Sequence, residues 1–575
     1  MINPAIAELC GAVDATSMLA HLEEFARRMK LSGTPSELQS FAYLEACLGR
    51  YGLRTKLIAH DAYISLPGRA RLEVCGETPD SITHSFSQPS SPQGVRGTLV
   101  YAGHGTVADI ASIDLHGKIV LLEGIANPAA SLRASQAGAV GQLHISPHEH
   151  LHDMCISPVW GSPTPERLDL LPKTVVLSVR KATGEAFKTQ LARGEVLEAV
   201  LHAEVDTGWR ETPILQADLD AAAPDAEDAF VMFSGHHDTW YYGVMDNGGA
   251  NATMLEIARL LAPKSGMLRR GLRLMFWSGH SHGRYTGSTW YADNHWEELD
   301  RRCVAHVNAD STGAKGNTIL SDALSSAELY GLAAEAVREQ GGQELAGHRM
   351  SRAGDQSFWG IGVPSIFMGM GEQPVGAENP MAAVFGGDSD RKGAGFGWWW
   401  HTPNDTLDKM DPDLLVRDTR IYVHTLWRLL TDSVLPFDYG RQADVLSREL
   451  AGLTANLGGR LDLAPLVARL ETFKRRATSP GRDAGQTNRA LMAVSRALVP
   501  MDYTTGDRFD HDPALGQVAF AVLDPVRQLA TTQAGSDASR FAAVAARRAL
   551  NRLAFALDTA NQALAGLLET TCHLQ

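Results

Sequence analysis

Cysteine is sparse in this chain. The 575 residues contain six, Cys10, Cys47, Cys75, Cys155, Cys303 and Cys572, and none forms a Cys-x-x-Cys pair. That scatter excludes a zinc ribbon and a disulfide framework, and unpaired thiols fit a reducing compartment. Long apolar runs are missing as well. No stretch approaches the ~20 apolar residues of a membrane-spanning helix, and the first thirty residues lack a basic segment followed by an apolar one. A cytoplasmic location is expected. Positive charge is in deficit, with 52 Lys+Arg against 66 Asp+Glu and a net charge of −14. Such a surface repels phosphate backbones and anionic lipid heads, so neither nucleic acid nor a membrane is an expected partner. What is present is an ordinary globular composition, 44% hydrophobic and 21% charged. It excludes a disordered or collagen-like protein, and the length supports about three to five domains.

The pattern divides the chain. Residues 1–71 read as helical: Leu19, Leu22, Phe25 and Ala26 recur at helical spacing, as do Phe41, Leu44 and Leu48 after the Ser-Gly-Thr-Pro break at 32–35. Residues 72–212 carry short β-branched runs between Gly, Pro and Asp, such as Gly97-Thr-Leu-Val-Tyr and Lys173-Thr-Val-Val-Leu-Ser, predicting a β-rich module. Residues 213–435 alternate helices with near-continuous apolar strands: Phe230-Val-Met-Phe, Leu272-Arg-Leu-Met-Phe-Trp, Cys303-Val-Ala-His-Val and Pro364-Ser-Ile-Phe-Met. Strands buried on both faces read this way, so this part is an α/β core. Residues 436–575 are helical, with a long Ala/Arg/Leu-rich helix from about 536 to 569.

Chemistry gathers at the predicted strand ends, where ligands bind in open α/β sheets. The first core strand runs into His236-His237-Asp238, followed by Asp246-Asn-Gly-Gly. The next ends in His280-Ser281-His282, another in Asp310, and a later segment gives Trp398-Trp-Trp-His401-Thr-Pro-Asn-Asp405. One such residue would be a cap or a satisfied core group; five at successive strand or loop ends indicate a metal site.

Together these motifs resemble the family-28 metallopeptidases, which are co-catalytic zinc aminopeptidases and carboxypeptidases. The order of regions is similar to the glutamate carboxypeptidase II and transferrin-receptor branch. The resemblance implies an α/β catalytic domain with a phosphorylase/aminopeptidase-like mixed sheet covered by helices. It further implies that 72–212 is an inserted protease-associated domain and 436–575 a helical dimerisation domain, hence a homodimer. It makes His236 a ligand of one metal and His401 of the other, with Asp246 bridging and Asp310 on the His236 side. Asp238 would orient an imidazole, and the Asp246-Asn247 peptide would be cis.

The chain departs from that family where relatives carry two adjacent glutamates before Gly-x-x-Gly-Ser. Counting back from Gly287-Ser288, His282 takes the place of the metal-binding glutamate and Ser281 that of the general base, while His280 is extra. An imidazole can ligate zinc, but its substitution removes one negative charge, leaving Asp246 and Asp310 to balance two ions. The second ion then binds more weakly, or one ion binds alone. Zn is favoured, with Fe, Mn, Ni or Co as alternatives. Ser281 is too weak a base near neutral pH; His280 can take over that duty, or merely hydrogen-bond within its loop.

Trp400 and its neighbours can wall a substrate pocket or belong to the core. Arg284 and Arg352 can hold a substrate carboxylate by paired hydrogen bonds. His144, His148, His150 and His152 read as a solvated loop, with a second metal site as the alternative. Neither Ser234 nor Ser288 has the partners of a serine nucleophile. The expected activity is metal-dependent hydrolysis of an amide or related C–N bond in a short peptide, N-acyl amino acid or similar small molecule. The alternatives are lyase, isomerase or redox chemistry at one His-rich centre, and an inert receptor-like scaffold.

Overall fold

The computed structural model describes residues 3–222, 228–376, 392–478 and 483–569. Eleven strands form its sheet: β1 (Arg54–Val74), β2 (Ser81–Thr83), β3 (Val95–Tyr101), β4 (Ile119–Glu123), β5 (Gly141–Ile145), β6 (Val175–Val179), β7 (Glu198–Leu219), β8 (Phe230–His236), β9 (Gly271–Trp277), β10 (Cys303–Asn308) and β11 (Ser365–Ile366). Their order is β11-β10-β8-β9-β7-β3-β4-β5-β6-β2, with β1 laid antiparallel along β7.

β11, β10, β8 and β9 are mutually parallel and β7 is antiparallel to β9, so the core sheet is mixed. Every residue of β8 and β10 is buried. Alternation sorts their side chains onto two faces. Val231, Phe233, Leu272 and Leu274 join one core with the helices Ala250–Leu261 and Pro412–Thr431. Met232, Met275 and Trp277 join the other with Tyr291 and Phe358. The helices Ala15–Phe25 and Pro35–Arg50 send Leu22, Phe25, Phe41 and Leu44 into the first core. The N-terminal segment is thereby fixed to the α/β core.

The expectation of helix through residue 71 fails after Arg50. Residues 54–74 are β1, in which Ile58, His60, Ala62 and Ile64 turn inward at every second position. Local pattern hid this strand because its pairing partner, β7, lies about 140 residues downstream. β1 and β7 each run unbroken from the core sheet into the insert, so the expected boundaries at 71/72 and 212/213 fall inside continuous strands. Within the insert, β3 to β6 are parallel. The helix Pro128–Gln136 packs with Val120 and Leu122, and the helix Lys181–Ala192 packs Phe187 with Ile119 and Leu121.

After residue 436 the described chain is helical. Five helices, from Tyr439–Leu457 to Asp537–Glu569, enclose their own core around Leu450, Phe473, Leu498 and Leu553. The five described cysteines are free, and Cys572 lies outside the described residues. Among the described residues no helix is long and apolar enough to cross a membrane.

Phe41 is fully buried between the N-terminal segment and His237. Truncation leaves a cavity there, so Phe41→Ala is expected to destabilise the chain by about 3–5 kcal/mol, read as a shift of the denaturation midpoint.

Candidate metal centre

The ends of β8, β9 and β10 deliver the site. His236 closes β8, and Asp238 follows two residues on. Asp246 lies in the turn before the helix Ala250–Leu261, and its peptide to Asn247 is cis. Its carboxylate lies between two imidazoles: His236 Nε2 is 3.1 Å from Oδ1 and His401 Nε2 is 3.0 Å from Oδ2. Asp310, just past β10, brings Oδ2 to 3.8 Å from His236 Nε2. Side chains from positions 310, 236, 246 and 401 therefore follow one another in a continuous run of contacts.

Each side chain at this junction is aimed by a second group. His236 Nδ1 donates to the Asp238 carbonyl at 2.8 Å, leaving Nε2 toward the carboxylates. His401 Nδ1 donates to the Asp153 carbonyl at 2.7 Å, and the Asp153 N–H donates to the His401 carbonyl at 3.0 Å. This reciprocal clamp comes from the insert. Asp405 accepts the N–H groups of Met245 and Asp246 at 2.8 and 3.0 Å, holding the bridging residue. Asp238 accepts the N–H groups of His280 and Ser281 and so shapes the loop after β9.

In that loop, His282 is fully buried and its Nε2 has no hydrogen-bond partner among the described residues. Its ring lies against Trp240, which also faces His401. The His280 ring is stacked on His236 at 3.7 Å with 13° between the planes. Ligand atoms of His236, His280 and Asp310 lie within 4.8 Å of one another. An imidazole lone pair lies in its ring plane, so two parallel stacked rings would not both point at one ion. His280 Nδ1 is 2.8 Å from Oδ2 of the buried Asp355, whose Oδ1 accepts from Ser288 Oγ at 2.8 Å. Ser281 Oγ is buried without a partner.

Charge follows this packing. Burial opposes protonation of His236, but the two carboxylates facing it, Asp246 and Asp310, outweigh that and hold its pKa well above the ordinary value. His401 faces only Asp246; burial prevails and its pKa falls. Burial also lowers His282. Burial raises Asp238, but the neighbouring histidines 282, 236 and 280 overcome it and keep its carboxyl well below the usual range. Burial pushes Asp405 up to about 7 against the pull of its two backbone amides.

The remaining expected residues fare differently. Trp400 is nearly buried and stacks on His401 at 3.6 Å. Arg284 has a buried Nε without a partner and one long contact, 3.5 Å, to the Cys155 carbonyl. Arg352 is engaged within the protein: it donates to the carbonyls of Pro513 and Asp512 and covers Trp160. The supposed solvated histidine loop is instead packed. His144 lies buried on β5, His150 stacks on Trp398 at 4.1 Å, and His152 donates Nδ1–H to the Trp400 carbonyl at 2.5 Å. Asp355 was not foreseen, because an Asp in a Gly-Asp-Gln loop carries no spacing signal. A second grouping, Glu335, Glu339 and His424, has Glu335 in an ion pair with Arg428.

Residues 217–426 match the model of Peptidase family M28. Over that stretch the chain resembles an M28 peptidase. It is 23% identical over 557 residues to a probable glutamate carboxypeptidase (AMP1) of Arabidopsis thaliana, an alignment covering 81% of this chain and 74% of that protein. It is 26% identical over 256 residues to a probable glutamate carboxypeptidase (VP8) of Zea mays, covering 40% of this chain and 32% of that protein. The fold is similar to that of BSAP, a zinc aminopeptidase from Bacillus subtilis, with a TM-score of 0.55, 18% identity, and coverage of 73% of this chain and 96% of that one. The M28 region places the chain among metallopeptidase-like hydrolases.

The residues present fit a divalent cation. Among the described residues His282 Nε2 is buried without a hydrogen-bond partner, and His236 Nε2 and Asp246 Oδ1, buried 3.1 Å apart, face each other, a set of buried polar atoms that a cation would satisfy. His236 with Asp246 and Asp310 would hold one ion and His401 with Asp246 a second, with His282, buried behind Trp240, the further imidazole available to the latter. Asp246→Asn is therefore expected to lose most bound zinc, whereas His282→Ala loses about half, by elemental analysis of protein equilibrated with a zinc buffer. Full zinc content in Asp246→Asn would show that the carboxylate does not bridge.

Proposed function

We propose that this protein is a metal-dependent hydrolase of an amide bond in a short peptide or N-acyl amino acid, with zinc as the resident metal. The observation that carries this reading is the single carboxylate, Asp246, set between His236 and His401 at 3.1 and 3.0 Å. A divalent cation held by these side chains would supply polarisation of the scissile carbonyl and activation of water.

The chain's own groups supply the rest. With Nδ1 turned to Asp355 at 2.8 Å, the neutral His280 ring would offer Nε2 to accept a proton from the attacking water. The same ring then returns that proton to the leaving nitrogen. Asp355, buried and fixed by Ser288, holds the imidazole in this tautomer. Arg284, with its unpartnered Nε, is the cation for a substrate carboxylate. Trp400 and Trp240 wall the space beside His401 and exclude water from it.

We further propose that the insert acts as a protease-associated domain, that the protein is cytoplasmic, and that two copies associate through the C-terminal helices. Phe541 and Phe555, each 76% exposed on the helix Asp537–Glu569, support the last point; light scattering is expected to give twice the chain mass.

The test is hydrolysis of dipeptides and N-acyl amino acids by protein before and after chelation. Activity is expected to vanish with the metal and return with added zinc. His280→Ala is expected to keep its zinc and lower kcat by about 10²–10⁴-fold. Arg284→Ala is expected to raise KM for carboxylate-bearing substrates with little change in kcat. Metal loss in His280→Ala would make it a ligand and overturn its proposed role.

A further inference from the structure

We infer that Ser32, in the N-terminal segment, sets the tautomer of His282 and so prepares that imidazole for a metal; this rests on the metal-centre reading above. Ser32 is fully buried. Its Oγ is 2.6 Å from Asp238 Oδ2 and 2.9 Å from His282 Nδ1. Asp238 also accepts the N–H of Ser281 at 2.8 Å and of His280 at 3.2 Å, a donor set that suits an ionised carboxylate.

Counting protons then fixes the direction of each bond. A hydroxyl has one hydrogen, and an ionised carboxylate only accepts. The Ser32 hydrogen therefore goes to Asp238, and what Oγ turns toward His282 is a lone pair. Nδ1 must carry the imidazole proton and donate it. The Ser32 N–H also points at Nδ1, but from 3.4 Å, and is the competing donor that the 2.9 Å contact to Oγ displaces. Nε2 is left unprotonated, buried and without a partner, the form in which an imidazole binds a cation. A serine hydroxyl thus stands between carboxylate and ligand in a relay that metal sites elsewhere make directly from a carboxylate to a histidine.

The segment around Ser32 is built to hold this position. Lys30 is buried, its Nζ donating to the carbonyls of Phe25, Arg28 and Tyr242 at 3.1, 3.3 and 2.8 Å. The Lys30 carbonyl accepts the Thr239 N–H at 2.8 Å, joining the segment to the loop that carries Asp238. Gly33, at φ +73°, turns the chain, and its N–H donates to Glu37 at 2.8 Å. Ser32 is thereby a positioning residue acting through His282, held from both sides.

The experiment compares zinc affinity and stoichiometry of the full chain in a competing chelator for wild type, Ser32→Ala and Ser36→Ala. Ser36 donates to the Met29 carbonyl in the same segment and touches no ligand. Ser32→Ala is expected to weaken one of two ions by about 10–100-fold and leave the other unchanged, while Ser36→Ala matches wild type. Unaltered binding of both ions in Ser32→Ala would overturn the inference, as would equal weakening by Ser36→Ala. A second measurement needs no Ser32 variant. In ¹⁵N-histidine spectra of the zinc-free protein, the signal lost in His282→Gln is expected to show Nδ1 protonated and Nε2 bare; the reverse tautomer would refute the assignment. A wild type that binds no ion would instead defeat the metal-centre reading itself.

Discussion

The arrangement of the site depends on one shared carboxylate. Asp246 can face two imidazoles only if its side chain is held between strand ends that belong to different parts of the chain. Asp405 achieves this by gripping the backbone at Met245 and Asp246 rather than the carboxylate itself. The side chain thus keeps both oxygens for the histidines. His236 and His401 are aimed in the same way, each through Nδ1 and a backbone carbonyl. Carbonyl acceptors fix the tautomer without adding charge to a site already short of an acidic ligand.

That shortage explains the loop after β9. Where relatives are expected to carry two acidic groups, this chain has two imidazoles and a serine, and the structure gives the imidazoles different surroundings. His282 is sealed behind Trp240 and tied to Ser32, with Nε2 unsatisfied. His280 lies flat on His236 and is tied to Asp355. Ring orientation, more than proximity, separates a group suited to bind an ion from one suited to handle a proton beside it.

The strands of the α/β core were legible because each is a short apolar run, buried on both faces, ending in a residue with few structural uses. β8, β9 and β10 lie where Phe230, Leu272 and Cys303 begin such runs. β1 was not legible, since its alternation is diluted by polar residues and its partner is remote in sequence. The same physics hid Ser32 and Asp355. A hydroxyl or a carboxylate that serves a ligand from a distant loop leaves no periodicity, and Ser32 read only as part of a helix break. Arg352 shows the opposite error: a cation near a strand end looked available until the carbonyls of Asp512 and Pro513 were seen to occupy it.

The reciprocal bond between Asp153 and His401 has a wider meaning. His401 is steadied by the insert and His282 by the N-terminal segment, yet the stretch that matches the family model begins at 217 and contains neither support. The segment recognisable by kinship and the unit competent for chemistry are therefore different objects. Truncation of either peripheral region would remove a hydrogen bond from a side chain of the candidate centre, far from the cut in sequence.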